Sequence, residues 1–471
     1  MHRHLHHTAR LMAGVSLTLL LSACASRPDL PAAPTDYASA RAVAALSADG
    51  AQLSAEPIPA WIDALDAPEM TSFVREALGA NPELNAAKGR AEAARYRARG
   101  ERGGLLPDLN LEFGRSRTET PIPGTDDRAR ADLTTSRLAS SWEIDIWGRL
   151  TARALSADLT ADALAFDLDA ARLSVAGQAA RGWVDLVAAQ QLLALAQEDM
   201  TTRNRALELT QRRYERGLAE SLALRTARSQ SASARANEAE AAEAHRIAAR
   251  SLQEILGRYP DAALNAEAEL PQLQAISAAG APQDLLERRP DVVAAEARMR
   301  AAGFAVHEAR AAMLPRLTLS ASADGEGQGF GDVTDIDNLV TTILGSLTAP
   351  IFQGGRLRNE AYASAAEQRT AAADYVGAVL AAWREVETAI SNDQSLAVQE
   401  RELAAAVSEA REAQALAERE YGRGVATIFE LIDAYTRRID AERGLIDVRA
   451  ERVRNRILYH VALGGGAETG G

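Results

Sequence analysis

The sequence has 471 residues, with 52 Lys and Arg against 65 Asp and Glu, so the formal net charge is −13. This acidic balance argues against a general nucleic-acid-binding protein, which needs a basic face. The apolar fraction of 47% is that of a folded protein, and the aromatic fraction of 4% favours long helices over an aromatic-rich sandwich. One cysteine excludes a disulfide framework, a thiolate metal cluster and a CxxC redox pair.

The N-terminus has the pattern of a bacterial lipoprotein signal. A basic and histidine-rich start precedes an apolar run over residues 11–21, and the only cysteine, Cys24, follows two small residues. The run is shorter than the roughly 20 residues that span a bilayer as a helix. We therefore predict a signal peptide over residues 1–23, lipidation of Cys24 (palmitate), and a lipidated leader over residues 24–68. In the lipoprotein families that this N-terminus resembles, Asp after the cysteine favours retention in the inner membrane, so Ala25 implies the outer membrane. The alternative is an ordinary signal peptide with an incidental cysteine.

The rest of the chain repeats itself at an offset of 207 or 208 residues. Chance does not place several independent markers at one offset, so we interpret the chain as an internal duplication. The first structural repeat covers residues 69–257, an equatorial linker segment covers 258–288, the second repeat covers 289–464, and a tail covers 465–471. Five pairs of markers keep the offset: Pro82 and Pro290, Pro107 and Pro315, Gly148 and Gly355, Gly217 and Gly424, and Leu256 and Leu463.

Each repeat predicts a helix, two strands and a long helical hairpin, in that order. Apolar residues recur about every 3.6 residues between Leu164 and Ala196, which is typical of a helix. Alternating apolar residues predict four strands, at about 107–116, 133–147, 315–323 and 339–351. Polar loops are expected between them at 117–131 and 324–338. Helix should pass into strand at Pro107 and Pro315, and strand back into helix at Gly148 and Gly355.

The predicted helices are unusually long. A helix over residues 148–215 or 355–421 would measure about 100 Å at roughly 1.5 Å per residue. Gly217 and Gly424 would then form the tight turns of two helical hairpins, at the end farthest from the strands. Shorter helices could stack end to end beside each long one.

Four strands do not close a membrane barrel. Such barrels have at least about 8 strands, and an open sheet edge in lipid leaves backbone groups unpaired. The strands therefore predict oligomerisation, and the arithmetic alone allows two, three or four chains.

Four motifs resemble the signatures of TolC/OprM-type outer-membrane efflux factors, most closely the lipoprotein (NodT-like) branch of RND efflux systems. The resemblance covers about residues 61–466. The motifs are Trp142-Glu143-Ile144-Asp145-Ile146-Trp147-Gly148-Arg149, Arg288-Arg289-Pro290-Asp291, Pro350-Ile351-Phe352-x-Gly354-Gly355 and Leu463-Gly464-Gly465-Gly466.

This resemblance implies a mainly α protein with a small β-barrel part. Three identical chains would share a 12-stranded barrel in the outer membrane and a 12-helix, coiled-coil-like tunnel in the periplasm. The channel would work with a periplasmic adaptor (membrane fusion) protein and an inner-membrane RND-type pump. It would conduct drugs or other toxic solutes outward and so contribute to antibiotic resistance. No enzymatic activity, cofactor or metal is implied.

The resemblance also implies a gate at the periplasmic end of the tunnel. Aligned through the glycine after Tyr421, the two acids of the gate ring fall on Glu430 and Asp433, three residues apart on one helix face. The TolC branch has Asp where this chain has Glu430, and other lipoproteins have an apolar residue there. Tyr421 and Arg423 are candidates for the latch between helices. The alternatives are solvated surface charges for the acids and ordinary turn residues for the latch.

Two other functions remain open from the sequence alone. A TolC-like channel could serve type I protein secretion instead of solute efflux. A periplasmic coiled-coil scaffold or adaptor lipoprotein would share the helices but would lack the amphipathic strands. A hydrolase is disfavoured because the histidines that follow the signal peptide, His245, His307 and His460, are isolated in the sequence.

Overall fold

Long helices and one four-stranded sheet make up the described chain. The computed structural model describes residues 59–124, 126–267, 269–273, 276 and 288–465, so the predicted signal peptide and Cys24 lie outside it. The helices are α1 (Pro68–Ala80), α2 (Pro82–Gly103), α3 (Arg149–Glu215), α4 (Ser221–Ile255), α5 (Pro290–Ala311), α6 (Phe330–Thr334), α7 (Arg356–Arg423) and α8 (Ile428–Ala462). The strands are β1 (Asp108–Pro121), β2 (Arg128–Ile144), β3 (Arg316–Gly327) and β4 (Val340–Thr348). Short 3-10 helices cover Ala60–Leu65 and Ile336–Asn338.

Prolines and glycines set the helix boundaries. Pro82 and Pro290 occupy the first turns of α2 and α5, where their missing N–H groups cost nothing. Gly148 and Gly355 precede α3 and α7 with φ of 70° and 82°. This left-handed conformation suits glycine, because a Cβ would be strained there. The chain therefore turns from strand into helix at both glycines.

The sheet is antiparallel, with the strand order β1-β2-β3-β4. Its register and the alternation of side chains place most of the large apolar residues on one face, which we call the apolar face. The other face, which we call the polar face, carries residues such as Asn110, Arg137, Ser322 and Thr342. The apolar face includes Leu109, Leu111, Phe113, Leu138, Trp142, Ile144, Leu317, Leu319, Ile343 and Leu347.

The strand boundaries differ from the predicted ones. The pairing of β1 with β2 continues to Pro121 and Arg128, so most of the predicted loop 117–131 is strand. Opposite charges face each other in this extension: Arg117 with Asp132 at 2.7 Å, and Glu119 with Arg130 at 2.9 Å. Such cross-strand pairs stabilise a ribbon that has no apolar alternation.

The two strands of the second repeat are also displaced from their predicted ranges. β3 continues to Gly327, beyond the predicted limit of 323. β4 ends at Thr348, before the predicted limit of 351, because Pro350 has no N–H to donate to a ladder. Part of the predicted loop 324–338 is helical and forms α6.

α3 spans most of the length of the helical part. Its 67 residues correspond to about 100 Å, and α7 has 68 residues. The first half of α3 packs against α2 and α5, and the second half against α4 and α8. Small side chains let α2 approach closely, since Ala94 and Ala98 contact Ala161. The largest core lies midway, where Trp61 and Trp183 are fully buried.

Candidate functional site

The two helical hairpins end in the same kind of turn. Gly217 follows α3 with a φ of 70°, and Gly424 follows α7 with a φ of 81°. The N–H of Gly217 donates to the carbonyl of Tyr214 at 2.9 Å, and the N–H of Gly424 donates to that of Tyr421 at 3.0 Å. A left-handed glycine is a common way for a helix to end. The structure thus places both glycines at the tips of the hairpins.

Tyr421 joins the second hairpin to the first. Its side chain is 3% exposed and packs with Ile428 and Leu431. Its hydroxyl lies 2.8 Å from Oγ1 of Thr210 on α3. The hydroxyl of Thr210 already donates its hydrogen to the carbonyl of Ala206 at 2.7 Å. Tyr421 must therefore be the donor in the bond between the helices.

Arg213 reinforces this contact. Its guanidinium lies 4.8 Å from the centroid of the Tyr421 ring, and its Nη1 donates to the carbonyl of Tyr421 at 2.5 Å. One cation therefore binds both the ring and the backbone at the end of α7. Arg423, the other predicted latch residue, is exposed and makes no hydrogen bond or ion pair within the described residues.

Glu430 caps the start of α8. Its Oε2 accepts hydrogen bonds from the N–H of Thr427 at 2.6 Å and from the Thr427 hydroxyl at 3.0 Å. The Thr427 side chain in turn accepts from the N–H of Glu430 at 3.3 Å, which completes a capping box. The backbone and hydroxyl bonds from Thr427 lower the pKa of Glu430 below its ordinary value. Its carboxylate is therefore charged at neutral pH.

Asp433 lies one turn further along α8 and is paired within the helix. Its Oδ2 is 2.8 Å from Nε of Arg437, and both side chains are more than half exposed. An exposed pair of this kind contributes little to stability. Glu430 and Asp433 are both exposed, whereas Leu431 and Tyr435 of the same helix are buried in the cluster around Tyr421.

Two buried arginines join α8 to α3 further from the tips. Arg203 pairs with Asp199 at 2.8 Å and reaches Oγ1 of Thr436 at 3.4 Å. Arg438 pairs with both Glu198 and Glu442 at 2.8 Å. The pairs with Asp199 and Glu442 lie within one helix, whereas the contacts with Thr436 and Glu198 hold α8 against α3. The sequence pattern does not reveal the contacts between the helices, because Thr436 lies 233 residues from Arg203 and Glu198 lies 240 residues from Arg438.

At the opposite end, side chains bridge the sheet and the helices. The indole N–H of Trp147, next to Gly148, donates to the carbonyl of Pro315 at 2.7 Å. The indole N–H of Trp142 donates to the carbonyl of Leu105 at 3.0 Å, beside Pro107. The structure thus brings Pro107, Pro315 and Gly148 to the sheet-to-helix junction, and Gly355 opens α7 after the end of β4.

In the described ranges, no group of three or more His, Cys, Asp or Glu side chains is placed to hold a metal ion.

No described helix combines the length and the apolar character that crossing a membrane would require.

A sheet with one apolar face, attached to two helical hairpins about 100 Å long, is the architecture of an outer-membrane export channel. The chain belongs to the outer membrane efflux protein family, whose sequence profile matches residues 73–258 and 281–465. It is 30% identical over 464 residues to the pyoverdine export outer membrane protein OpmQ of Pseudomonas aeruginosa, covering 96% of each chain. It is 29% identical to the outer membrane protein OprJ of the same organism, covering 98% of this chain and 96% of OprJ.

A solved structure has the same fold. The outer membrane protein VceC of Vibrio cholerae matches with a TM-score of 0.78 and 25% identity, over 87% of this chain and 100% of VceC. The predicted resemblance, the efflux function and the outer-membrane location are therefore confirmed. The protein is an outer-membrane efflux channel with a mainly helical fold.

Proposed function

We propose that three copies of this chain close a transmembrane β-barrel and a periplasmic helical tunnel, and that Cys24 anchors each copy in the outer membrane through lipid. The channel receives drugs or other toxic solutes from an inner-membrane RND-type pump through a periplasmic adaptor. It conducts them passively and carries out no enzymatic reaction.

The open sheet supports this proposal most directly. β1 and β4 each pair with a described strand on one side only. On the apolar face, Ile343 is 79% exposed and Leu347 is 69% exposed. Lipid accommodates such a face, but it does not accommodate unpaired backbone edges, so the edges of neighbouring copies must pair. Three copies give the 12 strands that the family resemblance implies.

The order of elements supports the internal duplication. α2, β1, β2, α3 and α4 are followed by α5, β3, β4, α7 and α8, which have the same types in the same order. The family profile also matches the chain as two segments.

Exposed apolar side chains at the hairpin tips support docking of an adaptor. Leu218 is 65% exposed beside Gly217, and Val425 is 76% exposed beside Gly424. Isolated apolar residues are common on surfaces, but these two occupy equivalent positions at both tips. An adaptor would cover them together.

The contacts around Tyr421 support a gate at the same end. Its bond to Thr210 holds the second hairpin against the first, and release of that bond would let the hairpins separate. Exposed Glu430 and Asp433 would line the bore as an acidic ring, where three chains supply six carboxylates and favour cations. Arg437 offsets part of this charge at each Asp433. Arg423 is exposed and unpaired among the described residues, and it would contact a neighbouring copy.

The barrel is tested by a matched pair of substitutions on β4. Ile343→Lys places a charge on the apolar face, where lysine at the bilayer midplane costs about 2–4 kcal/mol, so heat-resistant oligomers in the outer membrane should be lost. Thr342→Lys, on the polar face, should be tolerated. Equal assembly of both variants would refute the barrel. Cross-linking that ends at dimers or tetramers would refute the trimer.

Two further experiments test the anchor and the route. Cys24→Ser should abolish incorporation of radiolabelled palmitate. Deletion of the protein should sensitise the cell to at least one exported solute, and unchanged susceptibility across a broad panel of drugs, dyes and metals would contradict a role in efflux.

A further inference from the structure

The connection between β3 and β4 folds back over the sheet. Its helix, α6, contacts β2 and β3, and Val333 within it is 1% exposed. The hydroxyl of Ser136 on β2 donates to the carbonyl of Val333 at 2.6 Å. Ser136 faces the same side as Phe113 and Leu138, so this connection lies on the apolar face.

Two glycines of β3 leave room for this contact. A Cβ at Gly325 would lie 2.7 Å from the carbonyl oxygen of Val333, and a Cβ at Gly327 would clash with the side chain of Asp332. Both glycines belong to the apolar face by register. Glycine at these two positions of β3 therefore leaves the space in which α6 packs against the sheet.

The docked segment carries apolar side chains on its outside. Phe330 is 67% exposed and Ile336 is 62% exposed. The Phe330 ring lies 5.6 Å from the ring of Phe113, which is itself half exposed on the apolar face. The apolar surface of the strands therefore continues onto this segment.

Two of the three carboxylates of the segment accept hydrogen bonds from its own backbone, and all three side chains are exposed. The carboxylate of Asp332 accepts hydrogen bonds from the N–H groups of Gln328 and Gly329 at 3.1 Å and 3.0 Å. Asp335 accepts from the N–H of Asp337 at 3.3 Å. Backbone groups paired in this way are suited to a surrounding that is poor in water.

We propose that residues 328–338 form an interfacial tab that lies in the outer leaflet, with Phe330 and Ile336 in contact with lipid acyl chains. The proposal rests on the proposed barrel, because the barrel turns the apolar face towards lipid. A second copy of the chain would pair at the edge strands β1 and β4, whereas the tab lies over the inner strands β2 and β3. The tab fixes how deeply the barrel sits in the membrane.

Site-directed spin labels test the tab. In a Cys24→Ser background the chain has no other cysteine, so Phe330→Cys and Ile336→Cys can each be labelled alone. The labelled trimers are placed in phosphatidylcholine vesicles, and the accessibility of each label to oxygen and to a water-soluble nickel chelate is measured. Ile343→Cys is the lipid-facing reference, and Thr342→Cys is the lumen-facing reference.

We expect both tab positions to show a several-fold higher oxygen-to-nickel ratio than Thr342→Cys, close to that of Ile343→Cys. A lipid-like Ile343→Cys with water-like tab positions would overturn the tab and leave the barrel standing. A water-like Ile343→Cys would instead overturn the barrel. Two tab positions are used so that a failure of one variant to assemble leaves the other to decide.

Discussion

Removal of one hydroxyl group should weaken the closed state of the channel. Tyr421→Phe keeps the buried ring, its packing and its contact with Arg213, but loses the hydrogen bond to Thr210. A buried hydrogen bond contributes about 1 kcal/mol to stability. If the three copies open together, the closed state loses about 3 kcal/mol, which is roughly a hundredfold change in the opening equilibrium.

Single-channel recording in planar bilayers measures this effect. The fraction of time spent in the high-conductance state should rise strongly in Tyr421→Phe. Tyr96→Phe is the matched control, because Tyr96 lies on α2 with 61% of its surface exposed and should leave gating unchanged. An open fraction in Tyr421→Phe equal to that of the unmodified channel would refute the latch.

Three further predictions concern local stability. Gly424→Ala forces a Cβ into a left-handed turn and should destabilise the hairpin tip by roughly 1–2 kcal/mol. Gly422→Ala is the control: it lies in the helix with open space around it and should stabilise the tip by up to about 1 kcal/mol. Amide hydrogen exchange at the tip should distinguish the two variants. Because hydrogen bonds lower the pKa of Glu430, its cap is present above the ordinary value of 4.5 and is lost as the pH falls through the lowered value. The protection of amide hydrogens at the start of α8 from exchange should decrease as the pH falls through this range. In Glu430→Gln this protection should not depend on pH in that range. Burial and, to a smaller extent, the charge of Arg456 lower the pKa of His460 from 6.5 to about 4. As the pH falls from 6.5 to about 4, the unfolded chain binds a proton that the folded chain does not bind, and about 3 kcal/mol of stability is lost. His460→Phe retains the stacking on Trp61 and should flatten the profile of Tm against pH; a slope that persists in this variant would assign the loss to another group.

The sequence was most informative where a backbone requirement singles out one residue type. Gly217 and Gly424 predicted the hairpin ends because few other residues adopt a positive φ. Pro82 and Pro290, which mark the repeat in the sequence, lie in the first turns of α2 and α5. Thr427 stands three residues before Glu430, which is the sequence pattern of a capping box. Glu430 was predicted only as an acid of the gate ring, so its capping role was missed.

Other features depend on residues that are distant in the chain. The partner of Tyr421 lies 211 residues away, and nothing in a single sequence specifies that pairing. The extension of β1 and β2 was missed because charged residues such as Arg117 and Asp132 are typical of a loop in the sequence. Only the strand pairing shows that they face each other as ion pairs. The fold of residues 328–338 depends on the space above Gly325, which only the assembled sheet defines.

The unpaired edges of the sheet have a consequence for how the protein is made. A newly exported chain carries two strand edges and a broad apolar face, which form a ready template for aggregation with any similar chain. Correct assembly therefore competes with indiscriminate association while copies are still separate. The yield of functional channels should depend on how quickly chaperones and the insertion machinery bring the right number of copies together.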